Sequence, residues 1–225
     1  MLFAIHRGWF CALSLAALAT AGCERSAASP TAPEEAAADR ESKPVDRAAN
    51  GAPSAGEYFP TVVLETSLGR LTIKLDPQAA PRTVNNFLHY VESGFYNQTI
   101  FHQVEPGYVI LGGGYTADLA EKPARYPIPN EATHAQQNRR GTLAMARQPD
   151  SIDSSTCQFF VNLTDNFQLD HRGDTPADFG YCVFGEVVEG LEVLDQIAGV
   201  EVQATEQFER LPVETVLIES AYRLR

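Results

Sequence analysis

Apolar and polar side chains alternate along much of the chain from residue 60 onward, which is the pattern of β-strands. Residues 70–76 alternate strictly, and the apolar residues 61–66 precede them across a turn at residues 67–69. Because a period of two indicates a strand with one buried face, these segments predict an antiparallel hairpin. Further strands are predicted at residues 99–104, 108–111, 141–146, 157–163, 180–187 and 213–218, with a long loop from Gly112 to Arg140.

Two segments follow the period of an amphipathic helix instead. The first begins at Pro81, whose ring suits the first turn of a helix, and is expected to end at Gly94. Its apolar face is formed by Val84, Phe87, Leu88 and Val91. The second helix is expected to end at Gly199, and its apolar face is formed by Leu191, Leu194 and Ile197. Many short strands with two separated helices predict an all-β fold, a closed antiparallel barrel capped at its ends.

The first 58 residues differ in composition from the rest of the chain. Residues 9–19 form an apolar run that is shorter than the roughly 20 residues of a membrane-spanning helix and has the length of a secretory signal. Residues 24–58 are rich in Ala, Pro and Glu, with Val45 as their only large aliphatic side chain, so they predict a flexible tether. The chain is therefore divided into a signal peptide (1–22), a tether (23–58) and one globular domain (59–225).

The residues before Cys23 resemble the lipoprotein signal of bacteria. Small side chains occupy residues 20–22, although Thr20 stands where lipoproteins prefer Leu. The resemblance implies cleavage before Cys23, lipidation of its thiol and anchoring to a membrane on the periplasmic side, where several acyl chains would hold it durably. An ordinary signal peptide with a nearby cysteine stays open as the alternative. Glu24 is not the Asp that commonly signals inner-membrane retention, which favours the outer membrane.

Charge and composition exclude several classes of function. The formal net charge is −12 and the chain has no long Lys/Arg run, so nucleic-acid binding is not expected. The histidines of the domain show no ligand spacing, so no metal site is predicted. The glycines at residues 112–114 lack the Gly-Lys-Ser/Thr sequence of a phosphate loop. Cys157 and Cys182 either form a disulfide in an oxidising compartment or remain two buried thiols, and the sequence leaves both open.

A series of short motifs resembles the cyclophilins, including their exported bacterial members, and stands in the order of that family. The motifs are Gly94-Phe95-Tyr96-Asn97, Ile100-Phe101-His102, Pro106-Gly107, Gly112-Gly113-Gly114, Asn130-Glu131-Ala132, residues 140–146, residues 158–162, Leu169-Asp170 and residues 179–185. Each motif is weak alone, but the set is specific. The resemblance implies an eight-stranded antiparallel barrel closed by two helices, and the activity of a peptidyl-prolyl cis–trans isomerase.

The reaction implied by this resemblance is rotation about the peptide bond that precedes proline. Its barrier is about 18–20 kcal/mol, and uncatalysed turnover takes tens to hundreds of seconds. No nucleophile, metal or cofactor is needed. The site has to hold a prolyl ring in an apolar pocket and favour the twisted amide, whose nitrogen becomes pyramidal. A hydrogen-bond donor aimed at that amide lowers the barrier if its bond strengthens in the transition state.

The resemblance also assigns substrate-binding positions. They are Phe101, His102, Tyr108, Val109, Leu111, Ala146, Gln158, Phe160, Gln168, Leu169 and Tyr181. Among them, Phe160, Leu169 and Tyr181 would form the pocket floor. The apolar neighbours of His102 also predict a core histidine. Strand alternation places Phe159 and Phe160 on opposite faces, one in the core and one in the pocket.

Four positions depart from the family pattern. Gln103 stands where the family has its catalytic Arg, and Leu111 replaces a Gln before the glycines. Val109 replaces a Met beside the pocket, and Gln168 replaces an aromatic residue for which the neighbouring Phe167 would partly compensate. A neutral hydrogen bond contributes roughly 1 kcal/mol against about 1.5–3 kcal/mol for a charged one. The catalytic position Gln103 therefore predicts turnover that is slowed roughly ten- to thirtyfold.

Three functions are compatible with these observations. The first is a peptidyl-prolyl isomerase, expected to be a monomer, that acts on proline-containing polypeptides and helps exported proteins fold. The second is a pseudo-isomerase that binds proline peptides without turnover, in keeping with the departures at Gln103, Leu111 and Gln168. The third is an envelope scaffold positioned by its acidic tether.

Overall fold

The computed structural model of the chain describes residues 59–224. The predicted signal peptide, the lipidation of Cys23 and the tether lie outside the described residues. The strands are β1 (Thr61–Thr66), β2 (Gly69–Leu75), β3 (Thr99–Glu105), β4 (Val109–Thr116), β5 (Thr142–Met145), β6 (Phe159–Asn162), β7 (Val183–Glu189), β8 (Val202–Gln203), β9 (Leu211–Pro212) and β10 (Leu217–Arg223). The helices are α1 (Pro81–Glu92) and α2 (Leu191–Ala198), and a 3₁₀ turn covers Phe167–Leu169. Neither described helix has the length and apolar character needed to cross a bilayer.

Eight of these strands close an antiparallel barrel in the order β1-β10-β3-β4-β6-β5-β7-β2. Strands β8 and β9 pair separately as a small two-stranded sheet. The predicted all-β barrel with two helices is therefore confirmed. Closure leaves no free edge on the barrel, so one face of the sheet becomes the interior and the other face can carry a site.

The first hairpin shows how local sequence sets the register of the barrel. Val62 lies opposite Ile73 and Leu64 lies opposite Leu71, so apolar partners face the interior together. Gly69 closes the turn with a φ of +135°, and a β-carbon there would lie 2.8 Å from the side chain of Val193. Glycine is required at this position because it tolerates a positive φ and leaves room for α2.

Helix α1 begins and ends as the sequence predicts. Pro81 occupies its first turn, and Gly94, with a φ of +68°, follows Ser93 at its end. No side chain of the preceding residue caps the helix. Instead, the carboxylate of Glu131 accepts hydrogen bonds from the backbone N–H groups of Arg82 (3.1 Å) and Thr83 (2.8 Å). An acidic side chain at a helix N-terminus satisfies free amides and interacts favourably with the helix dipole, so the 130–132 motif anchors α1.

Strand alternation divides the apolar side chains into two clusters. The larger cluster fills the barrel and lies under α1, where the ring of Phe87 is 5.6 Å from that of Phe159 and 5.0 Å from that of Phe184. The smaller cluster consists of buried Val109, Ala144, Phe160 and Val183, with partly buried neighbours around them. Because Phe160 follows the core residue Phe159 in the same strand, the smaller cluster lies on the outer face of the barrel.

Strand β4 is longer than the sequence predicts. It continues through the three glycines to Thr116, whereas a loop was the expectation from Gly112 onward. Gly112 lies opposite Phe101 of β3, and a β-carbon there would lie 2.7 Å from the ring of Phe101. The glycine therefore lets this ring fill the barrel interior without ending the strand.

One strand boundary and one helix face also differ from expectation. The closing strand β10 lies at Leu217–Arg223, later than the predicted residues 213–218. On α2 the buried residues are Val193, Leu194 and Ile197, whereas Leu191 is 41% exposed. Leu191 is the first residue of this short helix, so it lies at the edge of the apolar face.

Candidate active site

A single row of cross-strand partners crosses the outer face of the barrel. Gln103 lies opposite Leu111, Leu111 opposite Phe160, Phe160 opposite Ala144, and Ala144 opposite Val183. Directly opposed residues share a face, with β-carbons about 4.5–5.5 Å apart. The row therefore joins the catalytic position predicted from the sequence to the apolar cluster around Phe160.

A β-bulge in β3 turns Gln103 toward this row. Phe101 pairs with Gly112 and Gln103 pairs with Leu111, so two steps along β3 match one step along β4 and His102 is the extra residue. In a regular strand Phe101 and Gln103 would share a face. The bulge instead leaves Phe101 in the barrel interior and presents Gln103 outside, which is a common use of bulges next to active sites.

The apolar cluster around Phe160, called the pocket below, lies on the outer face of the barrel. Phe160 is 4% exposed, and the partly buried side chains around it are Tyr108, Leu111, Leu169 and Tyr181. The rings of Phe160 and Tyr181 meet edge to face, with centroids 5.5 Å apart and planes at 79°. This arrangement presents aromatic and aliphatic surface of the kind that holds a prolyl ring.

Arg147, which sequence reasoning did not single out, holds the Tyr181 wall in place. Its guanidinium lies 4.8 Å from the centroid of the Tyr181 ring, and the residue is 5% exposed. It donates to four backbone carbonyls, those of Gly180 (2.9 Å), Gln148 (3.0 Å), Pro149 (3.2 Å) and Pro176 (2.6 Å). A lone arginine after a predicted strand has no sequence signature, because its partners come from two loops that only the fold brings together.

The 3₁₀ turn at Phe167–Leu169 lies directly beside the Tyr181 wall of the pocket. The backbone N–H of Tyr181 donates to the carbonyl of Leu169 at 2.9 Å, which fixes these two walls against each other. Buried Asn166 supports the turn by donating to the carbonyl of Tyr108 at 3.0 Å. Gln168 donates to the side-chain oxygen of Asn166 at 3.2 Å.

Phe167 does not take the place of the aromatic residue that Gln168 replaces. Its side chain is outside the pocket cluster, and the residue is 45% exposed. The guanidinium of Arg139 lies 5.9 Å from the centroid of its ring. The pocket therefore has one aromatic wall fewer than the family pattern implies.

Two of the predicted substrate-binding residues lie at the ends of pocket strands: Ala146 directly follows β5, and Gln158 directly precedes β6. The backbone N–H of Ala146 donates to the carbonyl of Gln158 at 3.0 Å, and both residues are buried. The side-chain oxygen of Gln158 is buried without a hydrogen-bond partner in the described part of the chain. An unsatisfied buried acceptor is costly, so a peptide N–H donated to this oxygen would be favourable.

Phe101 and His102 are not brought into the pocket, although the sequence places them among the substrate-binding residues. Phe101 is fully buried in the barrel interior. His102 is 2% exposed and packs against the rings of Tyr115 and Phe208, with centroids 4.8 Å and 5.2 Å away. Burial lowers the pKa of His102 to about 4, so its imidazole is neutral at physiological pH. Its role is structural, as its apolar strand neighbours suggest.

A chain of polar side chains extends from Gln103 along β3 to Glu105, which lies opposite the pocket residue Val109. The side-chain amide of Gln103 donates to Glu105 Oε1 at 3.2 Å, and Arg210 Nε donates to Glu105 Oε2 at 2.8 Å. Burial raises the pKa of the Glu105 carboxyl, and the guanidinium of Arg210 and the amide of Gln103 partly oppose that rise. The sequence could have predicted that Glu105 lies beside Gln103, because residues two apart in a strand share a face. Nothing in the sequence indicates that Arg210 lies close to Glu105.

The two domain cysteines are free and buried. Cys182 lies 3.5 Å from the hydroxyl of Thr83 on α1. Burial raises the pKa of both the Cys157 and the Cys182 thiol to about 11, so neither is a reactive thiolate at neutral pH. Within residues 59–224, no cluster of His, Cys, Asp and Glu side chains is arranged to hold a metal ion.

Comparisons with known proteins agree with this fold. The sequence model of the family described as cyclophilin type peptidyl-prolyl cis-trans isomerase matches residues 61–223. Peptidyl-prolyl cis-trans isomerase A of Dickeya dadantii is 46% identical over 160 residues, which cover 71% of this chain and 82% of that protein. Peptidyl-prolyl cis-trans isomerase B of Escherichia coli is 45% identical over 159 residues, which cover 71% of this chain and 96% of that protein.

The fold is also similar to that of a solved structure. A cyclophilin-type isomerase of Cryptosporidium parvum, crystallised in the presence of the dipeptide Ala-Pro, has a TM-score of 0.61 and 24% sequence identity. The likeness covers 73% of this chain and 99% of that one. At this identity the comparison shows the barrel architecture alone.

Proposed function

The chain belongs to the cyclophilin-type peptidyl-prolyl cis–trans isomerases and is an enzyme of that class. We propose that its substrates are exported proteins and that it isomerises their prolyl bonds with reduced turnover. It acts as a monomer on proline-containing polypeptides. The observation that carries the reduced turnover is the cross-strand row, which supports an uncharged Gln103 as the donor beside the Phe160 pocket.

Gln103 fits the role of donor because it lies at the β3 end of the cross-strand row. Only Leu111 separates it from Phe160, so a prolyl ring against Phe160 would bring its peptide nitrogen toward the β3 side of the pocket. When the amide twists, that nitrogen becomes pyramidal and a better acceptor, so a hydrogen bond to it strengthens in the transition state. A carboxamide donates this bond without a positive charge and contributes less than a guanidinium would.

The test is the catalysed exchange rate of a short proline peptide, measured by NMR for the wild type and for Gln103→Arg. We expect a wild-type rate above background and a roughly ten- to thirtyfold higher kcat/KM in the variant. Gln203→Arg, which adds the same charge at an exposed position of β8, is the matched control and should resemble the wild type. A wild-type rate equal to background, with the peptide still bound, would favour the binding module instead.

We also propose that the enzyme is lipidated at Cys23 and works on the periplasmic side, at the outer membrane. The support is the apolar run at residues 9–19 followed by small residues and Cys23. Mass spectrometry of the mature protein should find Cys23 as the first residue, carrying acyl chains. Cys23→Ser should release the protein from the membrane fraction. An unmodified N-terminus at another residue would overturn the proposal.

A further inference from the structure

Gln103 is not free to present either end of its amide, because Glu105 occupies one side of it. A carboxylate only accepts hydrogen bonds, so the group that faces Glu105 at 3.2 Å has to be the Nε2 end. Glu105 lies opposite Val109, a buried residue of the pocket cluster. The contact therefore turns the donor end of the amide along β3, toward the side where Val109 lines the pocket.

Arg210 fixes Glu105 in turn. Its guanidinium donates to Glu105 Oε2 at 2.8 Å, which leaves Glu105 Oε1 for the amide. Its backbone is also attached to the catalytic strand, since the N–H of Val104 donates to the carbonyl of Arg210 at 3.0 Å. The ring of Phe208, two residues earlier, packs on His102. The segment that carries Arg210 is thus held against β3 on both sides of Gln103.

We propose that Glu105 and Arg210 are positioning residues of the isomerase, which hold the Gln103 amide with its Nε2 end presented to the rotating peptide bond. One N–H of Nε2 donates to Glu105, and the second remains for the prolyl nitrogen. Without Glu105 the amide can rotate by half a turn, and its oxygen would then face the lone pair of the pyramidal nitrogen and repel it. This inference rests on the proposed role of Gln103 as donor.

The charge and the exposure of Glu105 also fit a place at the pocket edge. Burial raises the pKa of the Tyr108 hydroxyl, and the negative charge of Glu105 raises it further. Both partners of the Glu105–Arg210 pair are partly exposed, at 24% and 49% of their side chains. A solvent-accessible ion pair of this kind, with Arg210 about half exposed, contributes little to stability, so its removal should not unfold the barrel.

The experiment is a double-mutant cycle between residues 103 and 105, read by kcat and by the affinity for a proline peptide. Glu105→Ala should lower kcat about two- to fivefold with unchanged peptide affinity, because one orienting hydrogen bond is lost. The same change in a Gln103→Leu background should have no effect on kcat. Glu105→Gln, which retains an acceptor oxygen, should restore part of the loss, and Arg210→Ala should cause a smaller loss of the same kind.

Glu209→Ala is the matched control, because this exposed carboxylate acts on Glu105 through charge alone and has no contact with Gln103 among the described hydrogen bonds. It should leave kcat within about twofold of the wild type, as expected for an exposed surface charge. The side-chain NH₂ resonances of Gln103 give a second readout, and Glu105→Ala should shift them in the free protein.

Each outcome bears on a different claim. If Gln103→Leu turns over as fast as the wild type, the proposed role of Gln103 fails. Two outcomes would overturn the positioning role while Gln103 keeps its role. One is a lower kcat for Gln103→Leu with an unchanged kcat for Glu105→Ala. The other is an equal loss of kcat on Glu105→Ala in the wild-type and the Gln103→Leu backgrounds. A faster Glu105→Ala enzyme would also overturn it, because the contact would then restrain the amide.

Discussion

Gln103 and Phe160 lie opposite the same residue, Leu111, on the two strands that flank β4. They are 57 positions apart in sequence. The bulge at His102 is what allows the pairing, since a regular β3 would direct Gln103 into the barrel beside Phe101. The polar and the apolar parts of the site thus depend on one inserted residue.

Phe160 should be the main binding surface for the prolyl ring. Phe160→Ala removes the aromatic floor, so about 40–80 Å² of the prolyl ring's own apolar surface would lose its contact, which corresponds to about 1–2 kcal/mol. We expect kcat/KM for a proline peptide to fall roughly five- to thirtyfold, mostly through weaker binding. Phe167→Ala is the control, because that exposed ring lies outside the pocket cluster and its loss should leave the rate unchanged. Equal losses in both variants would place Phe167 in the site.

Arg147 should stabilise the loops behind Tyr181. Arg147→Met removes a buried guanidinium that donates to four carbonyls, and several of these acceptors would lose their partner. At roughly 1 kcal/mol for each hydrogen bond, we expect a loss of about 2–4 kcal/mol and a Tm lowered by about 5–15 °C. Arg139→Met, at an exposed position, is the matched control and should shift Tm little. Similar melting curves for the two variants would contradict this role.

His102 should make the stability of the domain depend on pH. Its pKa is lowered to about 4 in the folded protein, against about 6.5 in an unfolded chain. Between these values the unfolded state binds more protons, so the free energy of unfolding falls as pH falls from 7 to 4. The contribution of this one group is about 3 kcal/mol.

His102→Phe removes the titrating group and keeps an aromatic ring against Tyr115 and Phe208. Urea unfolding at pH 7 and at pH 4 measures the effect. The wild type should lose about 3 kcal/mol more than the variant over this interval. Parallel losses in the two proteins would show that His102 is not buried in the neutral form.

Periodicity was sufficient to predict most of the fold. The strict alternation at residues 70–76 and the apolar face of α1 identify a strand and a helix, because each pattern fits one secondary structure only. The closing strand was misplaced because residues 211–212 pair with β8 in a separate sheet before β10 begins. Such short pairings leave almost no periodic signal.

The site was predictable only in part, for a different physical reason. The family resemblance identifies Gln103 and Phe160, but it also includes Phe101 and His102, which the bulge directs elsewhere. A bulge changes which face a side chain occupies without changing the composition of the strand. The contact between Glu105 and Arg210 joins residues 105 positions apart, so only the closed barrel brings them together.

The most direct test of the account is the kinetic effect of Gln103→Leu, which keeps the size of the side chain and removes its donor. Rates of prolyl exchange give kcat/KM, and a peptide titration gives Kd. The account predicts that kcat/KM falls about fivefold, the worth of one neutral hydrogen bond, while Kd stays within about twofold of the wild type. An unchanged kcat/KM, or a loss that lies entirely in Kd, would contradict the claim that Gln103 acts on the twisted amide.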